Sequence, residues 1–392
     1  MSLRAPRRLP LTALVLIALA PILVVAPAAR AQQAFDSKAP RAILVDLDSG
    51  ATLYRKGETD AFEPAAMAKM MTMAVVFDAL KAGAIRLDQT FPVSENAWRN
   101  GGAPSRGATM FAALKSAVPV ADLLRGAIVQ AGNDACLILA EGLAGSEAAF
   151  VGRMNEKAAA LGLTGTSFRN ATGFADPEQK TTVADLARIA DYLVINHPDL
   201  YRIYAEPDFT WNKIFQRNRN PLLAAGIGVD GLSTGYSETA GFGLTASALR
   251  DGHRMTVVVS GLPTDKARAE EATRLFDYAD MAFERIRFFE AGATIGEARV
   301  YGGAVGSVAL ATKAPLDVLL VRGSRDRVRA RIIYTGPLVA PVLKGQAVGV
   351  VRVFIGDNLL VEKPVISMAD VATGTIEGRA LDAVGELLTG WL

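Results

Sequence analysis

A chain of 392 residues, 51% of them hydrophobic, can bury a large core, organised as two domains. Its formal charge of +2 belongs to one end: of 42 basic residues four (Arg4, Arg7, Arg8, Arg30) fall in 1–31, leaving 38 against 40 acids beyond it. That balance excludes charge-driven nucleic-acid binding. The lone Cys136 excludes an internal disulfide, and His197 and His253 have no metal-ligand spacing, so neither metal nor cofactor is expected.

The first three arginines precede an apolar run over 9–26, and Ala29-Arg30-Ala31 offers the small residues of a cleavage site. Residues 1–31 are therefore expected to be an export signal, placing the protein in the periplasm or cell envelope. The run is almost long enough to span a bilayer, so an uncleaved anchor is the alternative; Pro21, Pro27 and the cleavage site favour removal.

Residues 42–48 alternate into a strand, Ser49-Gly50 turns the chain, and 51–54 returns as a hairpin. Helical character follows over 67–82, where Met67, Met70, Met71, Val75 and Phe77 are expected to share a buried stripe. Helices are also predicted over 120–143, 146–161 and 266–289, and strands over 244–249 and 255–262 around Asp251-Gly252. Early and late strands with helices between them predict an α+β fold, an antiparallel sheet flanked by helices.

From Ala291 the pattern shortens into alternating runs broken by Gly and Pro, with strands expected at 305–311, 316–321, 328–334 and 348–355. The predicted domains are 32–290, a small all-β domain at 291–366 and a tail at 367–392. Arg325, Arg327, Arg329 and Arg331 alternate, so a strand there turns them to one face. That face is either plainly solvated or in contact with an anionic wall polymer or lipid surface. In the tail, Leu381, Val384, Leu388 and Trp391 recur at helical spacing, which allows peripheral membrane contact or docking onto the protein itself.

Three short motifs stand in order: Glu63-Pro64-Ala65-Ala66-Met67-Ala68-Lys69-Met70-Met71-Thr72, then Gln130-Ala131-Gly132-Asn133-Asp134-Ala135, then Val229-Asp230-Gly231-Leu232-Ser233-Thr234-Gly235-Tyr236. Their order and surroundings, with Asn218-Arg219-Asn220-Pro221 between the last two, resemble the low-molecular-mass penicillin-binding proteins, the serine D-alanyl-D-alanine carboxypeptidases. The resemblance covers most of 38–366. It implies a penicillin-binding/β-lactamase-like fold with a helical subdomain and a cleft that receives peptidoglycan stem peptides.

The family signature is S-x-x-K, S-x-N and K-T-G: a serine to attack the carbonyl, a lysine to take its proton, and donors to hold the substrate and the oxyanion. By that resemblance Ala66 stands at the nucleophile's position, Ala131 at the middle serine and Ser233 at the third motif's lysine, while Lys69, Asn133, Thr234 and Gly235 remain. The resemblance further implies that Arg268 helps receive the substrate's terminal carboxylate and that Arg219 stands near the cleft; the alternative for either is a surface salt bridge. An alanine methyl cannot attack a carbonyl, and Thr72 lies on the wrong side of the helix turn. Three reactive side chains replaced inside otherwise intact motifs argue against random decay. The leading expectation is a non-catalytic family member that binds stem peptides or wall-synthesis partners. The alternatives are a carboxypeptidase whose site was altered in this copy, and a structural periplasmic protein.

Overall fold

The computed structural model describes residues 35–324 and 327–380. The expected export signal, Arg325 and the expected apolar stripe from Leu381 lie outside the described residues. The chain divides into two units, Met1–Asp36 and Ser37–Leu392.

The second unit is built on a five-stranded antiparallel sheet. Its spatial order is Ala51–Lys56, Arg41–Asp46, His253–Leu262, Gly241–Arg250 and Val229–Ser237. The run Arg41–Asp46 is nearly all buried because helices cover it, and it pairs residue for residue with His253–Leu262. Val229–Ser237 is an end strand, so one of its edges is open to a further extended chain.

Between the early and late strands runs a helical part. The helix Lys69–Lys81 lies at its centre: every residue from Lys69 to Phe77 is buried. The expected stripe is thus corrected to burial all round, because Met70, Met71, Met73, Val75 and Val76 face helices or sheet on every side. Glu147–Ala160, Val183–Asn196 and Asp265–Ala282 pack around it or on the sheet. Each starts at a hydroxyl cap, Ser146 accepting from Ala149 N, Thr182 from Asp185 N and Thr264 from Ala267 N.

The structure corrects two predicted helices. The stretch 120–143 is two helices, Val120–Ile128 and Asn133–Ala144, parted at Ala131, which takes φ +57°. Gly132 N bonds back to Gly126 O and Asn133 N bonds to Ala108 O, so tertiary partners satisfy the broken turn. The stretch 266–289 is helical only to Ala282. Phe283–Phe289 is a strand paired antiparallel with Leu316–Val321, a partner too distant in sequence to leave a local signal.

That ribbon covers one face of a six-stranded sheet, ordered Val328–Tyr334, Ala347–Ile355, Asn358–Ser367, Ser307–Ala311, Gly296–Tyr301 and Leu338–Val339. A valine-rich core between them includes Val318, Val351, Val353, Val361 and Val365. Gly296–Tyr301 and Asn358–Ser367 are strands that the alternating pattern did not single out.

Candidate active-site cleft

The first wall is the start of the central helix. A single 3-10 turn, Ala65–Ala68, precedes Lys69–Lys81, and Ala65 enters it with φ +48°. Ala66 is half-buried at the lip, and Lys69 is 5% exposed one turn below. Lys69 Nζ donates to Thr172 O at 2.5 Å, and Thr72 Oγ1 donates to Ala171 O at 2.7 Å. The helix is therefore sewn to a loop that sequence reasoning missed. Asn170 shapes it by accepting from Thr172 N, Thr172 Oγ1 and Gly173 N. Gly173 has φ +80°, and a Cβ there would lie 1.9 Å from Ala65 O. The signal was the short polar run ending in glycine.

Burial pushes the Lys69 ammonium below its usual range, with the Asp134 carboxylate partly opposing. Burial likewise pushes the Cys136 thiol up to about 12, so it stays protonated.

The second wall is the turn before Asn133–Ala144. Ala131 is half-buried there, and Asn133 is buried at the first turn of the helix. The neighbouring Asp134 is fully buried and accepts from Thr109 Oγ1 (2.6 Å), Met110 N (2.9 Å), Ala112 N (3.1 Å) and Ala135 N (2.9 Å). It clamps the 107–112 loop onto the helix start. A side chain at Gly107 would fall 2.7 Å from Asn133 Nδ2, so glycine keeps that amide clear. Arg219 is exposed, and its backbone N–H donates to Val129 O at 3.1 Å, setting it beside this turn.

The third wall is the end strand Val229–Ser237. Ser233 and Thr234 are half-buried, and Ser233 Oγ donates to Ala66 O at 3.4 Å. A Cβ on Gly235 would meet Pro64 O at 2.9 Å and Ala65 Cβ at 3.4 Å, so the strand and helix start face each other closely. Arg268 supports this strand from behind. Its Nη1 donates to Gly235 O at 3.0 Å and Gly243 O at 3.2 Å, and its Nη2 pairs with Asp265. Arg268 is thus already engaged with backbone and a carboxylate, while Arg219 is exposed. Tyr236, exposed and packed 4.4 Å from the Phe242 ring, and the exposed Phe174 add aromatic surface that the sequence reading did not single out.

The structure therefore brings Ala66, Lys69, Ser233 and Gly235 to one cleft and sets Asn133 beside it through its neighbour Asp134. Among the described residues no His, Cys, Asp or Glu cluster could hold a metal.

A lysine at the foot of a buried helix, an asparagine at the start of a second helix and an open-edged strand beside the first define the penicillin-binding/β-lactamase-like class. Residues 27–264 match the family described as D-alanyl-D-alanine carboxypeptidase, and residues 283–373 match the penicillin-binding protein 5 C-terminal domain. Escherichia coli D-alanyl-D-alanine carboxypeptidase DacC is 38% identical over 345 residues, 87% of this chain and 86% of that protein. DacA of Haemophilus influenzae is 38% identical over 344 residues, covering 87% of each. The crystal structure of H. influenzae penicillin-binding protein 5 superposes with TM-score 0.76 at 37% identity, covering 86% of this chain and 98% of that one. This chain belongs to the Peptidase S11 family of D-alanyl-D-alanine carboxypeptidases, whose C-terminal all-β domain it also carries.

Proposed function

We propose that this chain is an exported, catalytically silent member of its family that holds peptidoglycan stem peptides in the cleft without cleaving them. The family acts on such peptides in peptidoglycan maturation. One observation carries the reading: where an attacking hydroxyl would stand, at the lip above Lys69, there is the Ala66 methyl.

The neighbouring hydroxyls do not replace it. Thr72 Oγ1 is buried and bonded to Ala171 O, and Ser233 Oγ is bonded to the Ala66 carbonyl. Lys69, which would take a nucleophile's proton, is turned to Thr172 O. Without the covalent step only binding and oxyanion contacts remain. In a serine-triad enzyme those leave roughly a thousandfold over water. Binding is supported by the open edge of Val229–Ser237, the retained Asn133 and Thr234, and the exposed Arg219.

A fluorescent penicillin tests the first half: the chain is expected to show no label surviving denaturation, while the A66S/A131S/S233K variant labels and releases D-alanine. A stable adduct on the unaltered chain, mapped to the cleft, overturns the reading. Calorimetric titration with a peptide ending in D-Ala-D-Ala tests the second half. Absence of binding heat marks the protein as structural.

A further inference from the structure

The C-terminal sheet has two faces of opposite character. Val328–Tyr334 is its end strand, pairing with Ala347–Ile355, which in turn pairs with Asn358–Ser367. Residues directly opposite on antiparallel strands point to the same face. Val351, Val353 and Val361 are buried on the inner face, under the Phe283–Phe289 ribbon.

The alternate positions form the outer face. Arg329 stands opposite Phe354, which stands opposite Leu359; Arg331 stands opposite Arg352, which stands opposite Glu362. Arg329 and Arg331 are exposed, and so is Arg327 just before the strand. Leu359 is 50% exposed, and Ile333 farther along the same face is 42% exposed. Glu362 is taken up by Arg352, leaving the other arginines to set the sign of the face; Asp357 sits in the adjoining turn.

We propose that this face docks on an anionic lipid surface. The arginines match the negative headgroup layer, and their long stems let the charge reach it while the strand lies flat. The exposed Leu359 and Ile333, with the half-buried Phe354 beside Leu359, decide against a purely polar polyanion. Such a polymer gives exposed apolar side chains nothing to enter, whereas a bilayer interface has an apolar layer beneath the charge. The contact is independent of the state of the cleft.

Co-sedimentation of the full-length protein with vesicles rich in phosphatidylglycerol, against pure phosphatidylcholine, tests the proposal. Comparing variants with the parent cancels whatever the two ends of the chain contribute. The R329E/R331E variant is expected to lose affinity for phosphatidylglycerol vesicles by about tenfold or more, with its melting curve unchanged. R329Q/R331Q is the milder pair should the charge reversal disturb folding, and it is expected to lose severalfold. L359S is expected to weaken vesicle binding without altering binding to soluble inorganic polyphosphate. Arginine variants that sediment like the parent overturn the proposal. So does an L359S protein that binds vesicles as the parent does, which would leave only a generic polyanion patch.

Discussion

Lys69 shows how a single side chain reports on the cleft. Its ammonium is buried and its pKa lies below the ordinary 10.5, mainly through desolvation. The folded state therefore gives up this proton more readily than the unfolded chain, and stability rises with pH from the lowered pKa up to about 10.5. The Lys69→Met variant lacks that gain, so denaturant titrations at increasing alkaline pH should show parent minus variant stability climbing. A flat difference means Lys69 is already hydrated. Ala131 carries a different strain, an L-residue at φ +57°. Replacing it with glycine is expected to raise stability by roughly half to one kcal/mol in thermal melts, since the relieved strain exceeds the added unfolded-state entropy. Ala66 and Ser233 were legible as positions, because the motif residues around them match the family's pattern. Arg268 was legible as a position, but its bonds to Gly235 O and Gly243 O depend on strands that only the fold brings to it.

Elements were legible where the signal was local. The hairpin Arg41–Asp46 with Ala51–Lys56 and the helix Glu147–Ala160 follow from alternation, turn residues and a serine cap. The break at Ala131 and the strand after Ala282 were not, because their partners are the 107–112 loop and Leu316–Val321. Asp134 is what holds that loop to the helix start. Asp134→Asn removes the charge and one acceptor oxygen from four buried donors, and a cost of about 3 kcal/mol is expected in urea titrations, with Asn133 released from its position. Between the helix Val183–Asn196 and the sheet, burial raises the Asp191 carboxyl to about 6, with Thr256 Oγ1 donating to it. The fold lets this carboxyl keep its proton to higher pH than the unfolded chain does, so its contribution is present below its usual 3.8 and lost as pH rises through about 6. Asp191→Asn should remove that slope and leave the protein more stable at neutral pH by on the order of 2 kcal/mol, read from melts between acid and neutral buffers.

At the scale of the whole molecule, the two parts of the unit are joined through charge. Arg285, on the first strand of the β domain, donates to Asp46 Oδ1 at 3.1 Å and Asp48 Oδ2 at 2.8 Å on the first hairpin. Asp46 is 1% exposed, so removing the guanidinium leaves a buried carboxylate that, among the described residues, Ser49 alone supports. Arg285→Ala is expected to cost about 3 kcal/mol and to separate the calorimetric unfolding into two transitions. A single transition at the parent's temperature would show that apolar contacts alone hold the parts together.

Residue identity and short-range period carry the family, the motif order and the α+β class, and they put alanine at position 66. Where Lys69 points, what Asp134 clamps, what Arg268 is bound to and which face of the last sheet carries its arginines outward came from the fold. Those depend on contacts between residues distant along the chain, whose partners no local pattern names.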